Sequence, residues 1–240
     1  GDQQASLLGQ GCVTPGAAKL TLGTGGMLDI CVGTTRPTFA RRGEHGMIPM
    51  IAWQRGDVTN WLAEGLMLTA GTTIEWLRDD LGLLSDAAES EALATSVPDA
   101  GDVVFVPAFL GLGTPRWDYG ARGAFFGLTR GAGRAHLVRA VLEGIAHRCA
   151  DLVEAAVAYT GMSIASLRVD GGMSNNGFLM QALADAAGVR VEISPATEAT
   201  TLGAAYLAGM ATGVWPEEAA TAALFSPRAV VDPACTDSQR

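Results

Sequence analysis

The stretch Val169-Asp170-Gly171-Gly172-Met173-Ser174-Asn175-Asn176 constrains this chain more than any other. It follows the strand-like run Ser166-Leu167-Arg168-Val169 and leads into Phe178-Leu179-Met180-Gln181-Ala182-Leu183-Ala184, whose apolar residues have helical spacing. A double glycine between a strand and a helix permits a sharp turn and a close approach of main chain to a ligand, because neither residue carries a Cβ. The start of the helix adds unpaired N–H groups and the positive end of a dipole, which suit phosphate or ribose oxygens. Asn175 and Asn176 add neutral amide donors and acceptors. The same residues also suit a plain tight turn with an Asn cap. Short glycine motifs match by accident, so the other turns in the chain have to decide between the two readings.

A second glycine turn lies near the start. Lys19-Leu20-Thr21-Leu22 and Met27-Leu28-Asp29-Ile30-Cys31-Val32 read as strands joined by Gly23-Thr24-Gly25-Gly26, a β-hairpin. Its turn can present several N–H groups in a concave array for phosphate oxygens, with the Thr24 hydroxyl at the tip. An ordinary hairpin whose glycines only supply positive φ is the alternative. The 31 glycines follow no collagen period and cluster between apolar runs.

With 48% hydrophobic and 17% charged residues, the chain can build a large core. A net charge of -9 without a long basic run disfavours binding of nucleic acid or anionic membrane through bulk charge. Local phosphate binding by backbone N–H groups is untouched by that argument. Cys12, Cys31, Cys149 and Cys235 are scattered, form no CxxC pair and accompany only three histidines. That pattern indicates neither zinc nor a disulfide framework, and it points to a reduced, cytoplasmic setting. No apolar run reaches membrane-spanning length, and no signal peptide is recognisable. The opening Gly1-Asp2-Gln3-Gln4, with no initiator methionine, reads as the interior of a longer protein.

Along the chain, strands and helices alternate. A short helix is expected from about Ala5 to Gly11, and strands over Met47–Trp53 and Val58–Ala63 flank the turn Arg55-Gly56-Asp57, which is read as turn chemistry and not as an adhesion motif. Helices are expected over Ala70–Leu81, Ser85–Ala94, His136–Ala158 and Thr200–Thr212, with strands at Val103–Phe109 and Val189–Ile193. Leu110–Gly131, with six glycines, is expected to be a long functional or interdomain loop. The stripe Leu137, Val141, Ile145, Cys149, Leu152, Val153 and Ala156 leaves His147 on the outside with no chemistry assigned. Residues after Pro227 are expected to fray. The alternation favours an α/β layered domain.

The turns, taken in order, resemble the C-terminal half of an FGGY carbohydrate kinase, and within that family the glycerol-phosphorylating branch. The matching segments are Gly1-Asp2-Gln3-Gln4-Ala5, Leu22-Gly23-Thr24-Gly25, Ala70-Gly71 with Trp76-Leu77-Arg78-Asp79, and Val106-Pro107-Ala108-Phe109-Leu110-Gly111-Leu112-Gly113. They continue with Ala121–Gly131, Arg168-Val169-Asp170-Gly171-Gly172 and Leu202–Gly209, so that the likeness covers roughly residues 1 to 216. The resemblance implies an actin-like ATPase (ribonuclease H-like) domain, a mixed sheet flanked by helices, over residues 1–226, with 227–240 as a tail. It also implies that a second, N-terminal substrate domain is absent from this chain and that the fragment alone is inactive.

Site roles follow from the resemblance residue by residue. Asp2 matches the catalytic base, and Asp2, Gln3 and Met27 match substrate-binding positions. Thr24, Gly25, Gly71, Glu75, Gly172 and Asn176 match nucleotide-binding positions. ATP and magnesium are the implied cofactors, with no dedicated protein metal site. The implied partners are a small-molecule polyol and ATP, without nucleic acid or membrane, in a protein that forms a homo-oligomer at full length. Asp2 has a structural alternative as the cap of the first helix. Two positions depart from the branch's pattern: Glu75 stands where its members carry glutamine, and Met27 where they carry phenylalanine. A kinase for a larger polyol or a ketose such as xylulose, and a non-catalytic actin-like nucleotide-binding module, are the competing functions. A carboxylate poised for a substrate hydroxyl argues against the second.

Overall fold

The computed structural model describes residues 1–38, 45–196 and 198–235. Its strands are β1 (Ala18–Leu22), β2 (Gly26–Gly33), β3 (Ile48–Arg55), β4 (Val58–Met67), β5 (Val104–Val106), β6 (Ala124–Phe126), β7 (Ser166–Asp170), β8 (Arg190–Ile193) and β9 (Ala229–Val231). The helices are α1 (Asp2–Gly9), α2 (Gly71–Asp79), α3 (Glu89–Thr95), α4 (Arg134–Thr160), α5 (Gly177–Ala187), α6 (Ala199–Ala211) and α7 (Glu218–Ala222).

Seven strands form one mixed sheet in the order β3-β4-β2-β1-β7-β8-β9. β1 runs parallel to β7 and β7 to β8, while the other neighbours are antiparallel. Strand alternation sorts side chains to two faces. Leu20, Leu28, Ile30, Leu167 and Val169 face a core completed by Val141, Leu142, Ile145 and Leu152 of α4 and by Leu179, Met180 and Leu183 of α5. On the opposite face Cys31 and Leu62 meet Leu7 and Leu8 of α1 and Tyr206 and Met210 of α6. The expected mixed sheet flanked by helices is what the chain builds.

The small residues of α6 have a definite task. A Cβ built on Gly203 would lie 1.8 Å from the carbonyl oxygen of Ala5, and one on Gly9 would lie 2.0 Å from that of Ala199. α1 and α6 therefore approach backbone to backbone, which only glycine permits here. The Thr200 hydroxyl adds a 3.3 Å hydrogen bond to the Asp2 carbonyl. α6 thus fixes the N-terminal end of α1.

Three local expectations change. The Leu110–Gly131 segment is not all loop: Ala124–Phe126 pairs antiparallel with Val104–Val106. Its three-residue apolar run is too short, and too closely flanked by glycine, to show a period. The first helix begins at Asp2, not near Ala5. Residues after Pro227 do not simply fray, because β9 pairs with β8 and the Arg228 guanidinium donates to the Ser174 carbonyl at 3.0 Å. The end of the expected tail, 236–240, lies outside the described residues. His147 is exposed on α4, as its position off the apolar stripe predicts.

Candidate active site

One cavity of about 560 Å³ opens where four segments meet. The hairpin turn contributes Leu22, Gly23 and Thr24, and α2 contributes Gly71, Ile74, Glu75 and Arg78. The far wall comes from Asp86 to Glu91, and the floor from Gly172, Met173, Asn175 and Asn176 after β7. Five of the six expected nucleotide positions, Thr24, Gly71, Glu75, Gly172 and Asn176, line this one space. Gly25 is buried behind them, where a Cβ would lie 2.7 Å from the Met67 carbonyl oxygen.

Backbone hydrogen bonds hold the turn against α2. Gly71 N–H donates to the Gly23 carbonyl at 2.9 Å, and Ala70 N–H to the Thr24 carbonyl at 2.9 Å. A Cβ on Gly71 would sit 2.5 Å from the Gly23 oxygen, so glycine is required for this docking. The exposed tip, Thr24, then faces the cavity beside the N-terminus of α2, whose dipole favours anions.

Between β7 and α5, Gly171 takes φ +89 against the backbone of Leu22, and Gly172–Asn175 forms a single 3-10 turn. A Cβ on Gly172 would meet nothing within 4 Å, so this residue leaves room instead of avoiding a clash. Asn176 caps α5: its Oδ1 accepts from Leu179 N–H at 2.9 Å, and its Nδ2 donates to Ser90 Oγ at 3.1 Å. The cap anticipated at this turn is present, and it also ties α5 to α3 across the cavity. Leu22, Ile74, Leu142 and Met173 form the apolar part of the wall, while Glu75, Asp86 and Glu91 oppose Arg78, which pairs with Asp79 at 2.7 Å.

The residues matched to substrate chemistry lie at the start of α1, for Asp2 and Gln3, and on β2 of the sheet, for Met27. Asp2 is exposed in the first turn of α1, and Gly1 is the N-cap residue, with no side-chain cap bond. The reading of Asp2 as a helix cap is thereby corrected. Gln3 follows half-buried, its Oε1 accepting from the Lys19 ammonium. Met27 is half-buried on β2, paired with Thr21 across the hairpin and therefore on the same sheet face as Lys19 and Asp29.

Sequence reasoning missed the ionisable group under this end of α1. Lys19 and Asp29 form a 2.7 Å ion pair with both side chains fully buried. Burial pushes the Asp29 carboxyl up, and the Lys19 charge pulls it back. Glu64, cross-strand from Asp29, is pushed up to about 7, first by burial and then by the Asp29 charge. Asp170 is also raised by burial, against the Thr21 hydroxyl. The available signal was the alternation of Lys19 and Thr21 with Ala18, Leu20 and Leu22, which places a lysine on an inner sheet face.

A family model for the C-terminal domain of the FGGY family of carbohydrate kinases matches residues 18–212. The chain belongs to the FGGY family of carbohydrate kinases. Among its FGGY relatives is a glycerol kinase from Halorhodospira halophila, 48% identical over 240 residues, which are all of this chain and 46% of that protein. A glycerol kinase 2 from Thermotoga maritima is 45% identical over 240 residues, 48% of its length. In structure, Plasmodium falciparum glycerol kinase with ADP matches all of this chain with 47% of its own, at TM-score 0.91 and 34% identity. A xyloylose kinase from Brucella ovis matches 97% of this chain with 47% of its own, at TM-score 0.84 and 29% identity. This FGGY domain has the actin-like ATPase fold, and the chain spans about half the length of the relatives it matches.

Among the described residues no group of three or more His, Cys, Asp or Glu is placed to hold a metal ion, and no helix is long and apolar enough to cross a membrane.

Proposed function

We propose that the complete polypeptide carrying this chain transfers the terminal phosphoryl group of ATP to a polyol hydroxyl, glycerol to glycerol 3-phosphate first, and that this chain is its nucleotide-binding half. One observation supports the reading above the rest: the Gly23–Gly25 turn joins β1, which anchors Gln3 through Lys19, to the rim of the nucleotide cavity. A single hairpin thus serves both reactants.

In this reading Asp2 accepts the proton of the attacking hydroxyl as its oxygen bonds to the terminal phosphorus and ADP leaves. An exposed carboxylate at the start of a helix suits that task, because the chemistry needs a positioned acceptor beside the nucleophile. Gln3 and Met27 contact the polyol. Thr24 and the N–H groups around Gly25 face the phosphates, where donors aimed at developing charge lower the barrier. Gly71, Gly172 and Asn176 border the adenosine, and Glu75 flanks it. Repulsion from Glu75, Asp86 and Glu91, which line the cavity, favours phosphates at its hairpin end. Bound magnesium would neutralise phosphate charge and be carried by phosphate oxygens and water, with few protein ligands.

A larger polyol or ketose is the second reading, favoured by Met27, whose flexible side chain stands where the glycerol branch carries phenylalanine. Residues 1–226 form the kinase domain in this account, the cell compartment is a reducing cytoplasm in keeping with free Cys12, Cys31, Cys149 and Cys235, and the full-length protein is a homo-oligomer. The test is substrate-dependent ADP release by the complete polypeptide over a polyol and ketose panel. Highest kcat/KM with glycerol supports the proposal, and no release with any member overturns it.

A further inference from the structure

Five ionisable side chains run in register across the sheet beneath α1. Glu192 of β8 pairs with Arg168 of β7, Arg168 with Lys19 of β1, Lys19 with Asp29 of β2, and Asp29 with Glu64 of β4. The outer pair Arg168–Glu192 meets at 3.3 Å with both side chains partly exposed. The inner pair Lys19–Asp29 is wholly buried. Burying such a pair gains a fold little, since apolar residues of similar volume serve stability as well or better. The contacts of Lys19 indicate another use.

The Lys19 ammonium reaches three acceptors: the Asp29 carboxylate, the Thr21 hydroxyl at 3.0 Å, and Oε1 of Gln3. An ammonium can only donate. It therefore admits a single orientation of the Gln3 amide, with the oxygen turned inward. The NH2 group is then turned away from the ammonium, and Asp2, one residue earlier in α1, is exposed. Asp29 holds the ammonium from the opposite side of the hairpin, so the β1–β2 register is transmitted to the tip of the Gln3 side chain.

We propose that Lys19, braced by Asp29, is a positioning residue that fixes Gln3 as a hydrogen-bond donor toward the polyol. This rests on the reading of Gln3 as a polyol contact. The site then presents two opposite groups on consecutive residues: Asp2 takes a proton from one substrate hydroxyl, and Gln3 gives a hydrogen bond to a substrate oxygen. A glutamine free to turn would offer its carbonyl half the time and discriminate less between substrate groups.

The test is a double-mutant cycle in the complete enzyme. One arm replaces the whole ion pair, Lys19→Met with Asp29→Leu, so that no orphaned charge remains. The other arm is Gln3→Met, and the third variant combines them. The expected result is a rise of about tenfold or more in polyol KM for the first arm, with ATP KM within about twofold. In the Gln3→Met background the pair replacement should raise polyol KM no further. Should the first arm fail to fold, Lys19→Gln with Asp29→Asn, which keeps size and hydrogen bonding, enters the same cycle with a smaller rise and the same non-additivity. Additive effects on polyol KM, or equal rises in both KM values, in an active kinase overturn the positioning role alone. An unaltered enzyme that phosphorylates no polyol overturns the proposed function and this inference together.

Discussion

Gly203 of α6 rests against Ala5 of α1 so closely that a Cβ on it would lie 1.8 Å from the Ala5 carbonyl oxygen. Alanine in a helix interior normally stabilises relative to glycine by up to about 1 kcal/mol. Here the sign reverses, because the obstacle is backbone and cannot swing aside. Gly203→Ala is expected to destabilise by about 2 to 3 kcal/mol, the range of a tightly overpacked site. It should also lower kcat, because α6 fixes the end of α1 that bears Asp2. Thermal melts and turnover of one mutant preparation check both. Unchanged stability would mean that the helices can separate freely.

Gly172 predicts the opposite signature. Its Cβ would enter open space at the cavity floor, and its φ is not in the left-handed region. Gly172→Leu should leave the stability of the unliganded protein within about 0.5 kcal/mol, as for a substitution outside the packed core. ATP KM should rise by about tenfold or more as the side chain fills the nucleotide space. Isothermal titration with ATP, beside a melt without it, separates the two effects.

Thr24 should act on rate more than on binding. Its carbonyl is committed to Ala70 N–H, while its side chain is exposed at the turn facing the cavity. Thr24→Val keeps the shape and removes the hydroxyl. Loss of a donor directed at developing charge typically costs on the order of 10² in kcat. A raised ATP KM with unchanged kcat would place Thr24 away from the reacting phosphates.

Glu64 gives the fold a pH dependence. Its carboxyl rises from the ordinary 4.5 to about 7 in the folded protein, by burial and by the Asp29 charge, with Asp2 adding and Lys19 opposing. The folded state therefore keeps a proton that the unfolded chain releases near 4.5. Stability contributed by this group falls as pH rises from about 4.5 to about 7, and the penalty is complete above that. Glu64→Gln removes it, and should stabilise by roughly 1 to 3 kcal/mol at pH 8 while changing little at pH 4.5. Denaturant unfolding at the two pH values provides the comparison; an equal effect at both would remove Glu64 as the source.

Much of this was legible in the sequence where a local rule and the global fold agree. The turns at Gly23–Gly25 and Gly171–Gly172 announced themselves by their clustered glycines, of which Gly25 and Gly171 serve backbone approach, and α4 because its apolar stripe has a clean period. β6 and β9 were not legible, since three-residue strands carry too few side chains for a period and exist only through their partners β5 and β8. The Lys19–Asp29 pair was hidden for a different reason. Each residue reads singly as an ordinary surface charge, and only the cross-strand register shows that both are buried together. Asp2 was found by resemblance, yet its two physical readings separated only when the helix proved to begin at Asp2 itself.

In the proposed reaction Asp2 takes the proton from the attacking hydroxyl, and Asp2→Asn in the complete enzyme is the decisive variant. The substitution is nearly isosteric, and the Asp2 side chain is exposed and makes no cap bond. An amide cannot accept the proton at neutral pH, so the hydroxyl attacks unaided. The account predicts a loss of about 10² to 10⁴ in kcat, with a melting temperature within about 3 °C of the unaltered enzyme. A mutant that retains full kcat, whether or not its stability changes, would contradict it.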